Sequence, residues 1–309
     1  MTADQRVRTV QPSKRSKKTR ETRPLPPPSL RPKPISRVIT TVVLVFVAIY
    51  FLGPIYWLIV ASSKTKGDMV ASNPLLFTDH PLGGWAANWD ALLGWTGGNF
   101  PRWVLNSLLY SGIAGVVGTL ISVMCGFAIA KYTFPGRRAL LAVTMTGLLM
   151  PVALLTIPMY VLFHSLGIVN TPLAVIIPCM ISPFGVFLGQ VYATSSVPTE
   201  LLEAARVDGS SEARTFFTMV LRLLAPAMLT IFLFIFVATW NNILLPLMMI
   251  SSPELKPVTL GLYGMNSYFD PNKGAMMLGA LMGVLPLIVL FLALQRYWRS
   301  GLAAGAVKG

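Results

Sequence analysis

Residues 203–226 read EAARVDGSSEARTFFTMVLRLLAP, a polar island between two strongly apolar runs. Counting Glu200 just upstream, the island carries four acids and three bases. Pro198 suits the first turn of a helix, and Glu200 meets that helix's positive end. A short helix is therefore expected over 199–207. Gly209 can take the left-handed conformation that stops it. Ser210 or Ser211 then caps a second helix, running through Phe216, Phe217 and Val220 toward the next apolar run. Ala204 and Ala205 give the first helix a low profile. An ordered helix–turn–helix with such a surface suggests a place gripped by another chain.

The rest of the chain explains why such an island stands out. Of 309 residues, 54% are hydrophobic and 12% charged, against roughly 25% charged in a soluble domain. Mean hydropathy is +0.65, which places the chain in a bilayer. A helical crossing takes about 20 apolar residues, and six segments qualify: 38–60, 103–130, 139–163, 172–194, 227–250 and 275–297. Backbone groups in lipid must bond internally, so these are helices. The fold expected is an all-α membrane protein of six transmembrane helices.

The net charge of +14 invites a nucleic-acid reading, but its distribution argues against one. Of 25 Lys and Arg, 20 fall in the N-terminal tail, the connections after spans 2 and 4, and the C-terminus. Five fall in the alternate connections. Without the tail the split is still 9 to 5. By the positive-inside rule both termini and the island face the cytoplasm. Residues 1–37 are basic and proline-rich, too poor in apolar side chains to bury a core, and are expected to be a disordered cytoplasmic tail. Span 1 follows without a cleavage site and stays as an anchor.

Within the spans, Ser107, Ser111, Gly115, Gly118, Thr119, Ser122 and Gly126 recur at steps of three and four. They give span 2 a small-residue face for close packing. Gly279 and Gly283 do the same in span 6. Pro151, Pro158, Pro178, Pro183, Pro246 and Pro286 interrupt spans 3 to 6, each tending to kink its helix. Trp240-Asn241-Asn242 is the chief polar interruption of span 5. Its amides suit either an interhelical hydrogen bond or the hydroxyls of a sugar in a pathway. The connection 61–102 is long enough for a small external lobe, with Trp85, Trp89, Trp95 and Trp103 available as interfacial anchors or sugar-stacking rings.

The chain carries no chemistry of its own. It has no G-x-x-x-x-G-K-[ST] phosphate loop and no metal-ligand spacing. Cys125 and Cys179 lie in spans, and His80 and His164 lack ligand-like partners. No acid sits within the spans, which removes the usual proton relay of a coupled transporter. Energy for transport would have to arrive from a partner, through the island.

Glu203, Ala204, Ala205, Asp208, Gly209, Phe216 and Pro226 resemble the EAA motif of ABC-importer permeases, which lies between the fourth and fifth of six spans. Asn106-Ser107-Leu108, Trp240-Asn241-Asn242 and the ending Gln295-Arg296-Tyr297 with GLAAGAVKG resemble the carbohydrate-uptake, maltose-type branch. The likeness covers about residues 37–309. It implies a type I permease fold with a permease domain over 38–300 (core 101–297), a cytoplasmic tail over 301–309, and a location in the bacterial inner membrane. It further implies that the island is a coupling helix seated on a cytoplasmic ATPase dimer, which would hold the ATP and magnesium; no cofactor is expected in this chain. A second, homologous permease would form the other half of the pore, and an extracytoplasmic sugar-binding protein would deliver the solute. Val307-Lys308-Gly309 would be placed to touch the ATPase. One position departs from the motif: Arg222 stands where a proline is usual, so the second helix of the island is expected to run unbroken to Ala225. A permease for a non-sugar solute and a membrane signalling protein are the competing readings. The latter lacks a soluble output domain.

Overall fold

The computed structural model describes residues 34–266 and 272–305. The chain divides into two units at Gly53 and Pro54. The first contributes the N-terminal part of helix α1 (Pro34–Ser62), and all other elements belong to the second. Among the described residues every regular element is helical. Four helical segments are long and apolar enough to cross a membrane: Ile35–Ser62, Phe100–Lys131, Leu173–Ser196 and Lys273–Gln295. Two further pairs qualify only jointly and are bent, Arg137–Leu149 with Val152–Ser165 by 108° and Glu212–Leu223 with Ala225–Trp240 by 81°.

The centre of the second unit is α4 (Phe100–Lys131). Its side chains enter three apolar clusters in turn. Phe100 and Trp103 pack with α3 (Pro81–Thr96), and Tyr110 packs near α6 (Val152–Ser165) and α7 (Leu173–Met180). Val123 and Phe127 pack with α8 (Pro183–Ser196) and α12 (Ala225–Trp240). The small-residue face predicted for span 2 is where these neighbours approach. Ser107, Ser111, Gly115, Gly118, Thr119, Ser122 and Gly126 are all buried. A Cβ added at Gly126 would stand 2.4 Å from the Gln190 nitrogen, and one at Gly118 would stand 2.7 Å from the Met180 carbonyl. Backbone therefore lies against backbone. Gly279 of α15 (Lys273–Gly305) instead makes room for a side chain, an added Cβ standing 2.6 Å from Leu262 Cδ2.

The prolines act unevenly. Pro151 separates α5 (Arg137–Leu149) from α6, so the interruption expected in span 3 (139–163) is a full break with a bend of 108°. Span 4 breaks at Ile181-Ser182, where the Ser182 hydroxyl accepts from Gly185 N–H at 3.0 Å and Pro183 opens α8. Pro158 and Pro286 are absorbed within α6 and α15. Span 5, expected over 227–250, ends at Trp240; a short α13 (Leu244–Met249) follows, with Pro246 in its first turn. The second helix of the island runs over Glu212–Leu223 and turns at Leu224, one residue short of the Ala225 expected. Pro226 is a sufficient cause, because its ring would meet the carbonyl four residues back, that of Arg222 itself.

The 61–102 connection folds as α2 (Asp68–Ala71) and α3. Two of its tryptophans, with Trp103 just beyond it in α4, turn out to be fasteners of the fold. Trp85 Nε1 donates to Ser62 Oγ at 2.9 Å, Trp89 packs edge-on against Phe100, and Trp103 is buried with Nε1 donating to the Pro253 carbonyl at 2.7 Å. Trp95 alone is half exposed. Residues 1–33 and 306–309 of the two expected tails lie outside the described residues, and 301–305 continue α15.

The close α4–α8 approach makes a contrast between two glycines of one helix. Gly126→Ala should lower the thermal midpoint in detergent, since overpacking costs ~1–3 kcal/mol. Gly112 has nothing within 4 Å of an added Cβ, and Gly112→Ala should leave the midpoint unchanged or raise it. Equal shifts in both variants would remove the close approach from the account.

Candidate functional site

The island folds as a helix, a turn and a second helix. α9 (Thr199–Val207) begins after Pro198, whose extended conformation (φ −65, ψ 139) makes it the capping residue. Its end is a Schellman motif: Ser210 N–H donates to the Ala205 carbonyl at 2.9 Å and Gly209 N–H to the Arg206 carbonyl at 3.0 Å. Gly209 carries the left-handed φ of 72° that this closure requires. Ser211, of the two serines proposed, is the cap of α10 (Glu212–Thr215); its hydroxyl accepts from Arg214 N–H. A single π-helical turn over Phe216–Val220 and a short α11 (Leu221–Leu223) complete the unit.

Which face looks outward follows from burial. Leu202 and Ala205 turn into the protein, as do Phe216 and Val220. Ala205 therefore belongs to the packing face and does not share Ala204's exposed position. Glu203, Ala204, Asp208 and Gly209 are exposed together at one side and end of α9. Val207 joins them at 88% exposure, an apolar side chain left uncovered on a charged helix. Beside the turn lies a hollow of about 320 Å³ lined by Ala205, Asp208, Gly209, Ser210, Arg214 and Thr218, among others.

The unit is moored to α4. The Phe216 ring sits 5.4 Å from Phe127, which in turn meets Tyr132 edge-on at 5.4 Å. The Tyr132 hydroxyl donates to one Glu212 oxygen, and Arg206 Nε donates to the other at 2.7 Å. The Arg206 guanidinium also stands 5.9 Å from the centre of the Tyr132 ring. Burial, reinforced by the Glu212 contact, raises the Tyr132 phenol to about 12, so it stays protonated and donating. The Arg206–Glu212 pair is half exposed. Such solvent-screened pairs add little stability, so its effect is to orient the two helices. Tyr132 and Leu202 were not singled out from the sequence. Tyr132 lies 80 residues from Glu212, and no local pattern signals the contact.

The second group of candidates is split by the end of α12. Trp240 is 2% exposed and stacks on Phe236 at 5.8 Å. Asn241 is exposed, with Nδ2 donating to the Val237 carbonyl of its own helix at 2.9 Å. Asn242 is half-buried; its Oδ1 accepts from Leu245 N–H at 3.2 Å, at the mouth of α13. The three do not form one polar surface. Nearby, Asn106 Nδ2 donates to the carbonyls of Glu254 and Lys256, Tyr110 donates to that of Leu255, and the Ser107 hydroxyl accepts from Val258 N–H. The polar start of span 2 thus holds the 253–258 loop in place.

Residues 118–303 match the family model described as binding-protein-dependent transport system inner membrane component. The chain is 32% identical over 281 residues to the arabinooligosaccharides transport system permease protein AraQ of Halalkalibacterium halodurans, covering 89% of this chain and 98% of that one. It is 33% identical over 274 residues to the diacetylchitobiose uptake system permease protein DasC of Streptomyces coelicolor, covering 87% and 95%. The fold is also that of a chain in the crystal structure of a bacterial ABC transporter involved in the import of the acidic polysaccharide alginate. The TM-score is 0.74 at 20% identity, over 85% of this chain and 96% of that chain. This multi-pass membrane protein is a transport component rather than an enzyme, and it belongs to the binding-protein-dependent transport system inner membrane component family, the permease subunits of ABC importers.

Proposed function

We propose that this chain forms half of the translocation pathway of an ATP-driven importer for a sugar or oligosaccharide, and that 203–216 is the surface through which ATP hydrolysis on partner chains moves it. The observation that carries the reading is the outward face of α9. Glu203, Ala204, Val207, Asp208 and Gly209 are exposed beside a hollow, on a unit whose other face is anchored to α4 through Phe216 and Tyr132. A surface exposed and yet rigidly mounted is suited to receive force. Ala205 and Phe216 serve the mounting.

The sugar reading draws on relatives whose names specify arabinooligosaccharides, diacetylchitobiose and, in Bacillus subtilis, melibiose, raffinose and stachyose. In this reading both termini and the island face the cytoplasm. A dimer of ABC ATPases holds the ATP and magnesium, a second homologous permease completes the pore, and an extracytoplasmic binding protein delivers the solute. Asn241 and Asn242 are the candidate pathway amides, with Trp240 as packing behind them.

Purification with co-purifying subunits, followed by ATPase stimulation with the binding protein and a sugar panel, tests the whole reading; recovery of no ATPase sinks it. Glu203→Ala removes only an exposed carboxylate, and Gly209→Val forces a β-branched residue into φ 72°. Each should weaken ATPase association by about tenfold, ~1.4 kcal/mol, and uncouple hydrolysis from uptake. Wild-type coupling in both would end the coupling-helix reading.

Asn241→Leu should leave assembly intact and cut uptake by about tenfold or more, because a site built to bond hydroxyls loses heavily without its polar partner. Unchanged uptake kinetics would return Asn241 to a helix-terminal role.

A further inference from the structure

We infer that residues 72–78 form a lipid anchor, a strap folded back along the last turns of α1 that seats Leu75, Leu76 and Phe77 in the headgroup region of the bilayer. The observations come from the lobe whose tryptophans turned inward. Ten successive residues, Met69 to Thr78, carry no charge, between Asp68 and Asp79. Within them Val70 is 90%, Leu75 57%, Leu76 59% and Phe77 44% exposed. Single exposed apolar residues are ordinary, whereas three in succession on one short strap mark a surface that meets something apolar.

The strap's position identifies what it meets. Tyr56 Oη donates to the Leu75 carbonyl at 2.8 Å. Tyr56 stands six residues before the end of α1 at Ser62, which is about 9 Å of helix at ~1.5 Å per residue. Side chains on a helix lean toward its N-terminus, so the phenol oxygen lies at least as far back as that. The chain leaves α1 at Ser62, turns, and returns to this depth. Tyr56 and Trp57 are themselves exposed, at 47% and 38%. A Tyr-Trp pair near the end of a spanning helix marks the interfacial belt. The strap lies beside that belt, where a water-soluble partner does not reach and where an amphipathic segment can rest in lipid.

Its conformation is held from the protein side. The Asn73 side-chain oxygen accepts from Leu75 N–H at 2.9 Å, forming the turn that redirects the chain. Lys64 is 1% exposed, and its ammonium donates to Ser72 Oγ at 2.8 Å and to the Asn73 carbonyl. Asn88 Nδ2 donates to the Ser62 and Lys64 carbonyls, fixing the base of the loop to α3. Phe77 meets Trp85 edge-on at 6.5 Å. A buried lysine spent on two strap acceptors has a structural task, and the apolar side chains it presents are left for lipid.

A nitroxide at Leu76, introduced as Leu76→Cys in the full-length chain with Cys125 and Cys179 changed to Ala, reports the depth. Power-saturation EPR in nanodiscs of phosphatidylcholine and phosphatidylglycerol should show collisions with oxygen exceeding those with a water-soluble nickel chelate. The ratio should reverse for a label at Asp79. Tyr56→Phe keeps the ring and loses the bond to Leu75, and it should shift the Leu76 label toward the Asp79 value. A Leu76 label as open to nickel as that at Asp79 would make the strap an aqueous surface. Shielding from both reagents would mean that protein covers it. Either result overturns the anchor, as does a Tyr56→Phe label with unchanged depth.

Discussion

The close contact of α4 with α8 and α12 is the constraint from which the rest of the second unit follows. It is possible only because glycine and serine occupy one face of α4. At Gly126 and Gly118 a side chain of any size would meet the backbone of Gln190 or the carbonyl of Met180. In lipid no hydrophobic effect drives two helices together, so association depends on van der Waals contact and on backbones approaching closely. The same approach positions Phe127, which receives Phe216, and Tyr132, which receives Glu212. Loosening α4 from α8 would therefore disturb the polar unit 199–223 without touching one of its own residues.

Much of that unit was legible because its signals are local. A glycine that must take φ 72°, a serine that caps the next helix and an acid in a first turn each declare themselves within three or four residues. The small-residue face of α4 was equally readable, since its spacing alone puts the residues on one side. The prolines marked where helices would be disturbed, but not how. Pro158 and Pro286 sit inside continuous helices, while Pro151 separates two segments bent by 108°. The outcome depends on what neighbouring helices offer the freed backbone groups, and that is not written beside the proline.

Long-range polar contacts were the illegible part. Tyr132 with Glu212, Asn106 with the Glu254 carbonyl, and Trp103 with the Pro253 carbonyl join residues 80 to 150 positions apart. The tryptophans in and just after 61–102 show the resulting error. As residue types they fit a membrane interface, and in the fold Trp85, Trp89 and Trp103 are drawn into packing. The exposed apolar positions fall instead to Leu75, Leu76 and Phe77. With Arg222 in place of a second proline, Pro226 alone is enough to end the helix, at Leu224.

α4 also determines how far an event at the island can reach. Its 32 residues span about 48 Å at ~1.5 Å per residue, enough to cross the bilayer with both ends in polar surroundings. At one end Phe127 and Tyr132 hold the island. At the other Asn106, Ser107 and Tyr110 hold the 253–258 loop, which follows α13 and the Asn241–Asn242 break. Thr259 Oγ1 donates to the Trp240 carbonyl at 3.3 Å and closes the circuit. Under the proposed coupling, a force applied at Gly209 does not need to travel through flexible loops. It enters a rod packed backbone to backbone against α8, and the far end of that rod is bonded to the loop beside the candidate pathway. Breaks at Ile181-Ser182, Leu224 and Asn241-Asn242 leave the helices around this rod segmented. A continuous α4 among segmented neighbours supplies both an element that transmits movement and joints at which the surrounding bundle can yield.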